Sequence, residues 1–311
     1  MSRDIRSELT REHGEGPAQW RERSPDPSRD HTLALSRDLD RDRERVRVTR
    51  AWSPSDRLTL PLSRERQTVG LHRETFTLRG SEVELLATVG AFRTIFVHDL
   101  EDRKTSSPGA KALMQNDLYS VRGQGLLETH RLVIGRRPDR VAVLTKRGLE
   151  LLERSRQRRE QGDPPEQRFY TGIAAARDLT HDARLYLMFE TDREGLEAEG
   201  ARITRVALDY ELRSDCSACI DRQKRAGVDP AAARHACARN QDLPFADGQV
   251  RFPDVRVEYE TAHGIGGWRD LELATEHYGR SQIGGKQIAG FRVYRAASRR
   301  SSDPHHLEWI T

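Results

Sequence analysis

The chain has 311 residues, 33% of them charged and 35% hydrophobic, with a formal net charge of +4 and a mean hydropathy of -0.79. That composition supports one or two modest cores with polar tails, and the nearly balanced charge confines polyanion binding to local patches. No run of about 18 apolar residues is present and the first residues are charged without an apolar leader segment, so the expectation is a cytoplasmic protein without a membrane partner. Three cysteines, an odd number, do not suggest a disulfide framework.

Residues 1–70 read as a disordered charged tail. They are crowded with Arg, Asp, Glu, Ser and Pro, with Ser-Arg-Asp at 2–4, 28–30 and 36–38, and mixed charge at this density cannot bury enough apolar surface to offset chain entropy. Trp20, Trp52 and the segment LTLPL at 58–62 are exceptions that could dock on the folded part or a partner.

Residues 71–160 carry the order helix, helix, helix, two-stranded wing, helix. Ser81 is placed to cap a first helix with Val83, Leu85, Leu86, Val89 and Phe92 as its apolar positions. Phe96, Val97 and Leu100 suit the inner face of a short second helix. In the third, from about 110 to 122, Ala110, Met114, Leu118 and Val121 line one face. Lys111, Gln115, Tyr119 and Arg122 line another, where Arg and Lys suit guanine edges and phosphates and Gln suits adenine. Gly123 and Gly125 can end that helix. The runs LLETHRLVI and RVAVLT then form a hairpin whose tip holds Arg136, Arg137 and Arg140, a cationic feature fit for a phosphate backbone or minor groove. Residues 131–160 contain ten Lys or Arg against four acids, the local electrostatic footprint of a nucleic-acid binder. Thr145 caps a last helix with the pattern T-x-x-G-x-x-L-L through Gly148, Leu151 and Leu152. Together with the G-L-L-x-T start at Gly125–Thr129, this resembles the winged helices of MarR-like bacterial DNA-binding proteins. The stretch QGDPPEQ at 161–167 reads as a domain boundary.

Residues 168–296 read as α/β, and 297–311 as a C-terminal tail. A helical stretch runs from about 174 to 191, with His181 and Asp182 near its start in a capping or packing role. RITRVALDYELR reads as strand or helix and is followed by a long helical region to about Asn240. VRFPDVRVEYE then alternates, with Val255, Val257 and Tyr259 facing one way and Asp254, Arg256 and Glu258 the other. Beyond the turn HGIGG, WRDLELAT directs Leu271 and Leu273 inward and Asp270 and Glu272 outward. Asp254, Asp270 and Glu272 could thus share one hairpin face, and gathered carboxylates on adjacent strands can hold Mg²⁺ for phosphodiester cleavage.

FPDVRVEYE followed by DLELATEHYGRSQIGGKQIAGFRVY resembles the restriction-endonuclease-like domain of the replication-relaxation family. The resemblance implies a winged helix joined to a nuclease-like α/β domain, in a double-stranded DNA-binding protein of plasmids or other mobile elements acting in replication, mobilisation or transcriptional control. It implies metal binding by Asp254 and Glu272, assistance by lysine, and Glu211 as a helical partner. The sequence departs from the family pattern at Ala274, where the lysine of an E-x-K triplet is expected; Lys286 can substitute only if the Gly-rich stretch returns it to the site. That departure favours recognition over cutting, with no cofactor expected, the C-terminal domain serving partner contacts or homodimerisation. Mg²⁺-dependent endonuclease action at Asp254 and Glu272 is the alternative. Cys216, Cys219, His235 and Cys237 are the residue types of a zinc site, but their surroundings read helical, where small core cysteines are the plainer assignment.

Overall fold

The computed structural model describes residues 52–101, 120–134, 137–159, 165–173, 179–275, 278–296 and 307–310. Residues 51–311 form one compact unit. The charge-rich residues 1–50, the connection 102–119 with Lys111, Gln115 and Tyr119, and Arg136, His305 and His306 lie outside the described residues. Of Arg137, only its backbone position in a strand is described.

The architecture is mixed α/β. It begins earlier than the sequence suggests, because Leu58 and Leu60 are buried in the main core and Trp52 packs edge-on against Phe189 at 5.4 Å between centroids. The expected tail therefore ends before residue 52. β1 (Gln67–Leu71) and β2 (Glu74–Leu78) follow as an antiparallel hairpin. His72 holds the positive φ of its turn at 54°, a conformation more usual for Gly or Asn, which is why the hairpin escapes a reading based on turn residues.

α1 (Gly80–Phe92) starts one residue before the expected cap: Arg79 is the N-cap, and Glu82 reaches back to its backbone N–H at 3.1 Å. β3 (Thr94–Phe96) pairs with β5, so Phe96 belongs to a strand and the short helix α2 spans Val97–Glu101. Residues 120–126 form turns in which Val121 is fully buried and Gly125 adopts φ 71°. β4 (Leu127–Ile134) and β5 (Arg137–Leu144) then make the long antiparallel hairpin, giving a sheet of order β3-β5-β4.

Thr145 caps α3 (Lys146–Arg154) by accepting from the Gly148 N–H at 3.0 Å. The glycine in that turn answers to crowding: a Cβ on Gly148 would lie 2.3 Å from the Leu126 carbonyl oxygen and 2.7 Å from the Leu144 side chain. With Leu151 and Leu152 buried, the pattern T-x-x-G-x-x-L-L is accounted for residue by residue.

Residues 165–173 do not separate two cores. The Gln167 side chain is buried, donating to the Val206 carbonyl and accepting from the Val206 N–H, both at 2.9 Å. One apolar cluster runs from Leu58 through Phe92 and Phe189 to Leu271 and Leu307. Its pivot is α4 (Leu179–Ala198), which buries Leu185, Tyr186, Met188, Phe189 and Leu196.

The second half is a five-stranded mixed sheet in which residues 307–310, 292–296, 266–274, 255–260 and 202–208 are neighbours in that order. β6 (Arg202–Leu208) is a strand, followed by α5 (Asp209–Arg225) and α6 (Pro230–Asn240). Gly227 at φ 83° and the Asp229 cap, ahead of Pro230, break what the sequence suggests is one long helix. After the small pair β7 (Phe245–Ala246) and β8 (Gln249–Val250) come β9 (Val255–Glu260) and β10 (Gly266–Ala274), antiparallel, with Asp270 opposite Arg256. α7 (Arg280–Ile288) crosses to β11 (Arg292–Ala296), parallel to β10. β12 (Leu307–Ile310) pairs with β11, so the expected C-terminal tail supplies an edge strand. Among the described residues no helix is long and apolar enough to cross a membrane.

Gly148→Ala is expected to lower stability by about 1–3 kcal/mol through overpacking against Leu126 and Leu144. Urea denaturation with an unchanged midpoint would show that this turn has room to spare.

Candidate functional site

Glu272 lies on β10 and, contrary to the outward orientation expected, is only 1% exposed. The outer face of this strand is covered: Ala274, Ile283 of α7 and Val293 of β11 form a small apolar cluster with Tyr278. A carboxylate buried this way needs partners. Its Oε1 receives Lys286 Nζ at 2.7 Å and the Tyr278 hydroxyl at 3.0 Å, whereas Oε2 is buried with no hydrogen-bond partner among the described residues. Lys286 comes from α7, so the segment after β10 folds as a helix that returns the lysine to the acid despite Ala274.

Asp254 immediately precedes β9. Its Oδ2 accepts from the Leu273 N–H at 2.8 Å, fixing the carboxylate beside the residue that follows Glu272. The same oxygen lies 3.3 Å from His181 Nε2, while His181 Nδ1 is 3.6 Å from Asp182. His181 therefore belongs to this cluster, a role the sequence does not reveal because 73 positions separate it from Asp254. The recess opens on this side: the side chains of Asp254, Lys286 and His181 are 18%, 26% and 27% exposed.

Burial, followed by the charge of Asp254, pushes the Glu272 carboxyl up to about 7, against the opposing pull of Lys286 and Tyr278. For His181, burial opposes the charged form, but the hydrogen bonds to Asp182 and Asp254 outweigh it and raise the group to about 10. Burial and the Glu272 charge raise the Tyr278 phenol, which stays protonated and able to donate. Two cations thus sit against two acids, one of which is strained toward its protonated form.

The other acids considered do not join this site. Asp270 is buried in a two-pronged pair with Arg256, at 2.7 and 2.8 Å, instead of adding a third carboxylate. Arg256 also donates to the carbonyls of Gln241 at 2.5 Å and Asp242 at 3.0 Å, so this pair ties the sheet to the end of α6. Glu211 is held by Arg205, by the Tyr170 hydroxyl at 2.5 Å and by Arg168 at 3.3 Å. Cys216 and Cys237 are joined across α5 and α6, with Cα atoms 5.8 Å apart. His235 sets its ring edge against Phe245, and Cys219 lies beside Gln223, so the four zinc-type residues do not converge. Among the described residues no group of three or more His, Cys, Asp or Glu could hold a metal ion.

On the β4–β5 hairpin, Arg140 stands directly opposite Arg131. Arg122 lies in the turn before β4 and is half-buried. His98 is linked to Asp139 of the hairpin at 3.2 Å. The middle of this hairpin touches the acidic cluster's own helix: Val141 and Leu132 pack with Phe96 against Leu179 and Ala183, the residues flanking His181. Comparison with protein-family models, curated proteins and solved structures gave no match.

The raised Glu272 carboxyl makes a prediction about stability. The unfolded chain loses this proton near 4.5 and the folded chain near 7, so in that window the folded state binds more protons and stability falls as pH rises. In EDTA, Glu272→Gln should remove that fall, with its melting temperature gaining about 3 °C or more on wild type between pH 5 and 8. Parallel pH profiles for the two proteins would show that Glu272 ionises normally.

Proposed function

We propose that the chain is a double-stranded DNA-binding protein of winged-helix type that carries a divalent-metal-dependent phosphodiester-cleaving site at Asp254, Glu272 and Lys286. The observation that carries this reading is the contact of Lys286 with Glu272. It supplies, from α7, the lysine whose absence at Ala274 otherwise argues against cleavage. The donor set fits a hard cation: Mg²⁺ is commonly held by one or two carboxylates with water and substrate phosphate completing its shell, so a third protein ligand is not required. The unpartnered buried Oε2 of Glu272 is the acceptor such a cation would satisfy.

Asp254 and Glu272 would hold the ion, which supplies Lewis-acid stabilisation and activates water. The remaining work falls to this chain's own side chains. The Leu273 N–H and His181 hold Asp254 in place. Tyr278 holds Glu272. Lys286 presents a positive charge toward the recess, where it stabilises charge developing on a phosphoryl group.

DNA engagement rests on the element order α1, β3, α2, β4, β5, α3 and on the basic hairpin. Arg131 and Arg140 face each other across the ladder, and like charges so placed are destabilising unless a polyanion lies between them. Contacts between the middle of the hairpin and the first turn of α4 connect the DNA-gripping surface with the acidic recess. This arrangement suits the replication and mobilisation setting implied by the replication-relaxation resemblance.

A second reading, recognition without cleavage, is favoured by one observation: each acid is already matched by an internal cation, His181 on Asp254 and Lys286 on Glu272. A plasmid-nicking assay with Mg²⁺ or Mn²⁺ separates the two. Cleavage is expected from wild type, with a loss of about 100-fold or more in Asp254→Ala and Lys286→Ala, in line with removal of one electrostatic stabiliser. Equal activity in wild type and Asp254→Ala, or none in either beside intact DNA binding, sinks the cleavage reading. For the hairpin, replacing Arg136 and Arg137 together by Ala should weaken duplex binding and reduce its salt slope by about 2; an unchanged slope would remove the hairpin from the contact surface.

A further inference from the structure

A second concave site lies on the sheet face that carries Glu272. Side chains of a strand alternate between faces, so Gly266, Trp268, Asp270 and Glu272 point to the same side of β10. A shallow, open depression of about 440 Å³ lies around Trp268, between the β9–β10 hairpin, β6 and the end of α6. Three features of its lining point to one kind of ligand.

The first is an open aromatic surface. Trp268 is 46% exposed, with the Arg256 guanidinium 5.4 Å from its ring centroid. On the same face its neighbour along the strand is Gly266, where an added Cβ would meet nothing within 4 Å. The absent side chain leaves one flank of the indole clear.

The second is that the surrounding charges on the strands are already matched, the exposed Asp242 carboxylate being an addition that disfavours an anion. Arg256 is bound to Asp270 and two carbonyls, Glu258 to Arg205 at 2.6 Å, and Glu260 to Arg202 at 2.7 Å. A lining of neutralised pairs does not select a phosphate. It suits a flat, uncharged heterocycle, for which the fixed Arg256 and Trp268 form a floor.

The third is unspent hydrogen-bonding capacity. Gln241 lines the depression, and its Oε1 is buried without a hydrogen-bond partner among the described residues. Thr204 is the extra residue of a β-bulge between Ile203 and Arg205, a device that re-aims a side chain, and it also lines the depression. An amide and a hydroxyl beside an aromatic floor are the groups that read a nucleobase edge.

We infer that the Trp268 depression is a base-stacking subsite, which receives an unpaired base of the DNA strand whose backbone reaches Asp254, Glu272 and Lys286. Trp268 stands four residues from Glu272 along β10, roughly 13 Å, about the rise of four stacked nucleotides in a strand. This rests on the proposed cleavage reading for its register, and it narrows the substrate class to DNA with a single-stranded or frayed segment. The subsite itself is a binding claim that requires no metal and no turnover.

The test is fluorescence anisotropy in EDTA, with a 12-nucleotide oligothymidylate and a blunt 12-base-pair duplex as separate probes. Full-length wild type, Trp268→Ala, Trp268→Phe and Gly266→Leu are compared, with thermal melts confirming that each is folded. Stacking of one base implies that Trp268→Ala weakens single-strand binding by at least about 5-fold. Gly266→Leu, whose Cβ has open space around it and whose side chain would occupy the clear flank, should do the same, and Trp268→Phe should restore most of the loss. Duplex affinity should change less than 2-fold in all of these. The inference is overturned if wild type does not bind the oligothymidylate, if Trp268→Ala and Gly266→Leu bind it unchanged, or if they lose single-strand and duplex affinity equally. Failure of plasmid nicking would remove the cleavage reading alone and leave this result standing.

Discussion

Everything in the described fold depends on the burial of α4 from two sides. From residue 179 to 190 no position of this helix is exposed, and a stretch so covered has to be enclosed from more than one side. Phe189 meets Trp52 and Phe92 on the side of the first half, while Met188, Leu196 and their neighbours share a core with β6, β9 and β10. Its one buried acid, Asp192, is satisfied from the sheet by Tyr294 at 2.7 Å, Arg292 at 3.1 Å and Arg269 at 3.4 Å. The same helix therefore anchors both halves, and its first turn delivers His181 to Asp254. Because the β4–β5 hairpin leans on that turn through Val141 and Leu132, the basic hairpin and the acidic cluster are packed within one compact unit.

The recess is governed by a conflict between burial and charge. The charge of Asp254 adds to burial in raising the cost of ionising Glu272, and the fold sets one cation against each acid. That leaves Glu272 half-committed to its proton and one of its oxygens without a partner. Groups shifted in this way by burial and a specific charged neighbour gather at functional sites, although structural ion pairs produce shifts as well. Asp270 and Arg256 supply the contrast on the same sheet face. There both carboxylate oxygens are engaged by the guanidinium, which two carbonyls fix in turn, so the pair offers no unpartnered oxygen to a cation.

What can be read from the sequence is what local chemistry determines. The β4–β5 hairpin, the Thr145 cap with Gly148 behind it, and the alternation on either side of the HGIGG turn all depend on neighbours within a few positions, and the structure holds each of them. Phe96 reads as helical by spacing, yet pairing with Val141 makes it a strand. The segment containing Trp52, Leu58 and Leu60 looks like tail because its surroundings are charged, but three large apolar side chains suffice to hold it once Phe189 is available to receive them. Of the acidic site, Asp254, Glu272 and Lys286 are recognisable by residue type, and their convergence is not, since it requires the helical return of α7. His181 carries no local mark of its role. Nor does the pairing of Cys216 with Cys237, which requires α5 and α6 to turn back at Gly227.

The central claim is that Asp254 and Glu272 together make a divalent-cation site in which Lys286 and His181 stand by as balancing charges. Mn²⁺ titration followed by the electron paramagnetic resonance of the free ion tests it directly, on wild type and on Glu272→Gln. The account predicts one bound Mn²⁺ per wild-type chain, lost or weakened at least about 10-fold in the variant, the scale on which altered metal ligation acts. Absence of binding by wild type, or equal binding by both proteins, would contradict it.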